Sequence, residues 1–154
     1  METILYKKTQ FNILIWVISV PVCVVLVFLS LKANDLSLSI FNLVFLGFLI
    51  VVNLIFSRLT ITLTNKKIEA TFGLRIFKQQ MDLESIKPEN IEVFKPSSWY
   101  GIGLRLTPKG KLFNVKFGKA IRIETPDKTF FVGSDEAEHI KDLMIKELRK
   151  SDLS

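Results

Sequence analysis

Seven cations run through one stretch of this chain: Lys95, Arg105, Lys109, Lys111, Lys116, Lys119 and Arg122. No acidic residue falls between Glu92 and Glu124, and Trp99 and Tyr100 lie in the same stretch. A basic side chain near an anionic membrane contributes on the order of 1 kcal/mol, and amphipathic aromatics suit the headgroup zone. Read for function, Lys109, Lys111, Lys116, Lys119 and Arg122 are candidate contacts to a lipid surface or an acidic partner, with Trp99 and Tyr100 as anchors. The competing reading is the solvent face of ordinary strands with Trp99 in the core. Strand alternation would then divide the cations between two faces.

Nothing else in the chain assembles into recognisable catalytic chemistry. His139 stands alone beside Glu138, without the Cys or carboxylate spacing of a metal site. Gly101-Ile102-Gly103 lacks the third glycine and the following helix of a dinucleotide fingerprint, and Pro108-Lys109-Gly110-Lys111 lacks the spacing of a phosphate loop. These glycines suit tight turns. Ser97 and Ser98 have no nearby base. Asp82 with Glu84, and Glu89 with Glu92, are carboxylates of the ordinary surface kind. The expectation is a protein without catalysis and without a cofactor. The only cysteine, Cys23, cannot close an intramolecular disulfide.

What must position these residues is set by two charge-free apolar blocks, Thr9 to Leu31 and Leu36 to Ser57, separated only by Lys32-Ala33-Asn34-Asp35. A helix rises about 1.5 Å per residue, so roughly 20 apolar residues cross about 30 Å of hydrocarbon. The first block is longer than a signal-peptide core, and no convincing cleavage site follows it. A loop this short demands an antiparallel pair. Lys7 and Lys8 precede the first span, and Arg58, Lys66 and Lys67 follow the second. The positive-inside rule therefore places both termini on the cytoplasmic side. Neither span carries an ionisable side chain, which argues against ion transport. Asn42 and Asn53 are polar positions in the second span, suited to hydrogen bonds within the hairpin or, together with the small Gly47, to packing against another membrane subunit.

The 154-residue chain carries a net charge of +6, most of it after Arg58. An anchored, mildly basic domain fits an anionic lipid surface, not nucleic acid, for which no binding motif is present. Its periodicity is that of strands. Leu59 to Thr64 and Lys67 to Phe72 alternate strictly. A turn at Asn65-Lys66 sets Leu63 opposite Ile68, Ile61 opposite Ala70 and Leu59 opposite Phe72. Gly73 marks a bend. Further strands are expected at about Arg75–Leu83, Ile91–Phe94, Leu104–Leu106, Leu112–Phe117, Ala120–Glu124 and Thr129–Val132, with Leu112–Phe117 and Ala120–Glu124 forming a hairpin around Gly118-Lys119. Ser134 is placed to cap a final helix, with Asp135 and Glu136 at its positive end. Ala137, Ile140, Leu143, Met144 and Leu148 form its apolar face.

Seven or so short strands closed by a C-terminal helix resemble the pleckstrin-homology-like (PH-like) fold, an antiparallel β sandwich or barrel. With two preceding spans, the chain resembles small bacterial membrane proteins that carry such a domain. The phrase Trp99-Tyr100-Gly101-Ile102-Gly103-Leu104-Arg105 is similar to their aromatic-Gly-x-Gly-x-Arg loop. Gly118-Lys119-Ala120-Ile121 and Phe131-Val132-Gly133-Ser134 are similar to later motifs. The resemblance covers about Leu59 to Leu148 and implies a binding or scaffolding module. A phosphoinositide site of the kind found in eukaryotic relatives would use the first strand turn, where this chain offers Asn65, Lys66 and Lys67, with Arg75 further on. That falls short of the usual Lys-x(n)-Arg-x-Arg type of pattern, in which n is variable.

The expected organisation is a cytoplasmic segment at 1–8, a two-helix transmembrane hairpin at 9–57 (spans 11–31 and 36–57) and a cytoplasmic PH-like domain at 58–154, in a bacterial inner membrane. The expected function is a non-catalytic module that recognises an anionic membrane surface or a protein partner. The alternative is a structural subunit assembled through the hairpin, where Asn42, Gly47 and Asn53 matter most.

Overall fold

A computed structural model describes residues 2–32, 35–96, 103–107, 110–116 and 118–151. Strand β1 (Ile4–Phe11) leads directly into helices α1 (Ile13–Lys32) and α2 (Leu36–Phe56). Strands β2 (Arg58–Thr64), β3 (Lys67–Phe72), β4 (Phe77–Asp82) and β5 (Ile91–Phe94) follow. Then come β6 (Gly103–Thr107), β7 (Gly110–Asn114), β8 (Ala120–Glu124), β9 (Thr129–Gly133) and helix α3 (Ala137–Ser151).

Helix α2 matches the second apolar block to within one residue at each end, and α1 begins four residues into the first block and ends one residue beyond it. Asn12 opens α1, its Oδ1 accepting from the Ile15 N–H at 3.3 Å. Asp35 opens α2 by accepting from the Ser37 N–H at 2.8 Å. These caps satisfy amides that the first helical turn leaves unpaired. Both helices are long and apolar enough to cross a membrane, and only 6% and 11% of their most apolar stretches is buried. That exposure is opposite to the burial of a core helix in a water-soluble protein.

The first apolar block does not begin as a helix. Thr9 to Phe11 belong to β1, which pairs antiparallel with β2 from Ile4↔Thr64 to Phe11↔Arg58. The two helices are thus an insertion between neighbouring strands of one sheet. Its base is closed where the Asn12 N–H donates to the Ser57 carbonyl at 2.8 Å and Asn12 Nδ2 donates to the Phe56 carbonyl at 3.3 Å. The N-terminal strand and the domain after α2 therefore lie at the same end of the hairpin.

The first sheet has the order β1-β2-β3-β4, and its β2–β3 register is the one that alternation dictates, with Leu59↔Phe72, Ile61↔Ala70 and Leu63↔Ile68. All six side chains are fully buried. The second sheet has the order β5-β8-β9-β7-β6. It corrects the expected hairpin between β7 and β8: β9 lies between them, antiparallel to β8 and parallel to β7. The second sheet is therefore mixed, not antiparallel. Eight strands follow the hairpin, one in each stretch the alternation marks, and the two sheets do not close into one barrel.

Two hydrogen bonds fix how the sheets cross. Gln79 of β4 donates to the Thr129 carbonyl at one end of β9, and Gln10 of β1 donates to the Gly133 carbonyl at the other, each at 3.0 Å. Four strands spaced about 4.8 Å apart are roughly 14 Å wide, and the four residue steps of β9 cover about 13 Å. β9 therefore runs across the first sheet from its β4 edge to its β1 edge, a near-orthogonal packing. Between the layers lie the inward residues of β2 and β3, Phe113, Ile121, Ile123, Phe130 and Val132. Helix α3 closes the core with Ala137, Ile140, Met144 and Leu148, the face its spacing specifies.

Candidate functional site

The fold disperses the basic cluster. Lys111, the second residue of β7, lies beside Phe130 and is exposed. Lys116 and Lys119 lie beyond the other end of β7, next to the start of α3. Arg122 stands on β8, opposite Glu92 and Phe131. Three of the four have acidic neighbours that the linear sequence hides. Lys116 Nζ pairs with Asp135 at 2.8 Å and Lys119 Nζ with Glu138 at 2.9 Å. Arg122 is hydrogen-bonded to Glu92, and its Nε lies 3.3 Å from Glu124. The Arg122 guanidinium also stands 5.7 Å from the Phe94 ring centre, a cation–π contact that helps hold it on the sheet. Trp99, Tyr100 and Lys109 lie outside the described residues. The strand that follows Trp99 and Tyr100, β6, begins against the hairpin base. There Leu14, Ile15 and Ile18 of α1, with Asn12, Phe56 and Leu104, line a groove of about 310 Å3.

The positions singled out in the second span separate as well. Asn53 is buried: its Oδ1 accepts from Ser19 Oγ at 3.0 Å, and its Nδ2 donates to the Leu49 carbonyl at 2.8 Å. It joins α2 to α1. Asn42 is buried, and its Nδ2 has no hydrogen-bond partner among the described residues. Gly47 is exposed, and a Cβ placed there would meet nothing within 4 Å. It makes no close helix contact among the described residues.

The residues that tie the hairpin to the domain are on β1. Tyr6 donates to Glu136 Oε2 at 2.8 Å, and Lys8 binds the other oxygen of the same carboxylate. Gln10 holds the Gly133 carbonyl. His139 packs edge-on against Tyr6 with ring centres 6.0 Å apart. Lys8 and Tyr6 stabilise the Glu136 carboxylate and hold its pKa below the ordinary value. Burial, then the bond to Glu136, pushes the Tyr6 phenol upward. Their spacing at i, i+2 and i+4 is the strand signal that the sequence carries for this segment. Lys7 points to the other side of β1, into a polar groove of about 270 Å3 lined also by Lys67, Arg75, Thr62, Glu2 and Glu69.

The domain end that meets the hairpin is rimmed by the β3–β4 turn. Gly73 has φ +41°, and its N–H donates to the Arg58 carbonyl at 2.8 Å. Phe56, the last residue of α2, packs edge-on against Phe72 and stacks on Phe77, on either side of this turn, with ring centres 5.6 and 5.5 Å away. The helix end is thereby seated on the sheet. Among the described residues no three His, Cys, Asp or Glu side chains gather as metal ligands. Comparison with protein-family models, curated proteins and solved structures finds no match for this chain.

Proposed function

We propose that the chain is a non-catalytic, membrane-anchored binding module. Its hairpin crosses a bacterial inner membrane with both termini cytoplasmic. Its PH-like domain recognises the anionic surface of that membrane. The observation that carries this reading is the insertion of two exposed apolar helices between paired strands β1 and β2. Anchor and domain form one body, so one end of the domain must face the lipid. The orthogonal sheets and the helix that closes them support the PH-like reading. Because Lys116, Lys119 and Arg122 are already paired with acids, each contributes less to lipid binding than a free cation.

The test joins Phe11 to Arg58 by a two-residue turn in place of the hairpin, which keeps β1 with the domain. Sedimentation with anionic and neutral vesicles over a salt series then reads lipid recognition. Salt-sensitive binding to anionic vesicles alone is expected. No binding at low salt by a folded protein overturns it.

The second reading, a structural subunit, is favoured by the open flank at Gly47 and, on another side of α2, by an exposed row of Phe41, Phe45 and Phe48. A second membrane helix could approach closely at Gly47. Loss of a co-purifying membrane protein from Gly47→Leu, with lipid binding intact, supports it.

A further inference from the structure

Among the described residues after Arg58, two large apolar side chains stand exposed: Leu74 at 66% and Ile76 at 58%. They flank Arg75 in the β3–β4 turn, at the end of the first sheet that carries the hairpin. The preceding Gly73 lies against the final turn of α2: a Cβ built there would sit 2.3 Å from the Leu54 carbonyl oxygen and 2.4 Å from that of Ile55. The turn is therefore level with the last turn of the helix. Helix α2 has 21 residues, about 32 Å of length, barely more than a hydrocarbon core of about 30 Å. Whatever touches its last turn sits at the hydrocarbon boundary. Arg75 lines the polar groove beside Lys7 and Thr62 on the outer face of the sheet, so the turn presents apolar side chains and a cation in different directions.

We infer that the β3–β4 turn is a third membrane contact, with Leu74 and Ile76 immersed at the hydrocarbon boundary of the bilayer that the hairpin crosses. The inference rests on the spanning reading of the hairpin. Its occupant is the apolar edge of the lipid layer, reached through continuity with α2, and it needs no particular headgroup. With α2 joined to β2 by Ser57 alone, this contact would fix the tilt of the sheet on the membrane and keep the polar groove at headgroup level.

The test uses the full chain with Cys23→Ala, reconstituted in phosphatidylcholine vesicles, with and without phosphatidylglycerol. A nitroxide is attached in turn at Leu74→Cys, Ile76→Cys, Val44→Cys in mid-α2 and Lys66→Cys in the turn at the far end of β2. Collision with oxygen reports lipid, and collision with a water-soluble nickel complex reports solvent. Positions 74 and 76 are expected to resemble 44, several-fold richer in oxygen than nickel contact relative to 66, in both vesicle types. If 74 and 76 behave like 66 while 44 stays in lipid, the inference is overturned and the spanning reading stands. If 44 is also open to nickel, both fall. Immersion only in anionic vesicles also overturns an apolar contact.

Discussion

Replacing Gly73 by alanine tests the joint between hairpin and sheet. A left-handed backbone at a residue with a Cβ costs about 1–2 kcal/mol, and φ at Gly73 is +41°. The new Cβ would also meet the Leu54 and Ile55 carbonyl oxygens at 2.3 and 2.4 Å and the Ile55 carbonyl carbon at 2.9 Å. These are backbone atoms of a helix, which cannot rotate aside. The turn must retreat by about 1 Å and loosen the seat of Phe56 between Phe72 and Phe77, a distortion comparable to overpacking a core at about 1–3 kcal/mol. The expected loss is about 2–5 kcal/mol, or a fall of at least about 10 °C in Tm for a domain of this size. Thermal unfolding of the full chain in lipid nanodiscs, followed by circular dichroism of the β domain, reads it. Gly47→Ala is the comparison, since its Cβ meets nothing within 4 Å and alanine favours the helix by roughly 0.5–1 kcal/mol. If Gly73→Ala melts with the wild type, the close approach of turn and helix is wrong.

The lock between β1 and α3 should depend on pH from both sides. Glu136 has a lowered folded pKa, so its contribution is complete above the unfolded value of 4.5 and fades as pH falls below it. Tyr6 has a raised one, so its contribution is complete below 10 and fades as pH rises further. Protease resistance of β1 should decline on both flanks, and Glu136→Gln should flatten the acid flank. Asn53→Leu removes the interhelical bond from Ser19 and should cost about 0.5–2 kcal/mol; a double-mutant cycle with Ser19→Ala that shows no coupling refutes that bond. Lys119→Glu faces Glu138 across an exposed pair, so stability should change by less than about 1 kcal/mol. A marked fall in anionic-vesicle binding from the same substitution would mark Lys119 as a lipid contact, and unchanged binding would remove it from the site.

What the sequence shows depends on which side chains face the core. β2 and β3 pair apolar with apolar across one face, so their register follows from alternation alone. α3 presents its apolar face at helical spacing. β1 is invisible to the same reasoning because its inward residues are Tyr6, Lys8 and Gln10, satisfied by Glu136 and Gly133 instead of by oil. A register shift between Ile4 and Tyr6 further blurs its pattern. Lys7 and Lys8 read as a topology signal, and Lys8 is also a structural partner. The insertion of β9 between β7 and β8 is likewise illegible, since the Gly118-Lys119 turn looks local while the true neighbour arrives later in the chain. The basic cluster owed its apparent strength to the same blindness: Glu92, Asp135 and Glu138 lie beyond or at the margin of the acid-free stretch and meet its cations only in the folded domain.

The pairing of β1 with β2 bears on how the protein is made. β1 leaves the ribosome before the helices and has no partner until both helices and the next strand have followed it. In a bilayer, that partner is reachable only if the two helices enter as a pair. Were one to fail to insert, or to insert the wrong way round, β1 and β2 would be stranded on opposite sides. Glu136 would then lose Lys8 and Tyr6, and the Gly133 carbonyl would lose Gln10. A misinserted chain would thus display an unmatched sheet edge along β2, recognisable to proteases and chaperones as unfinished. If the helices span a bilayer, completion of the first sheet requires that both have inserted as a pair.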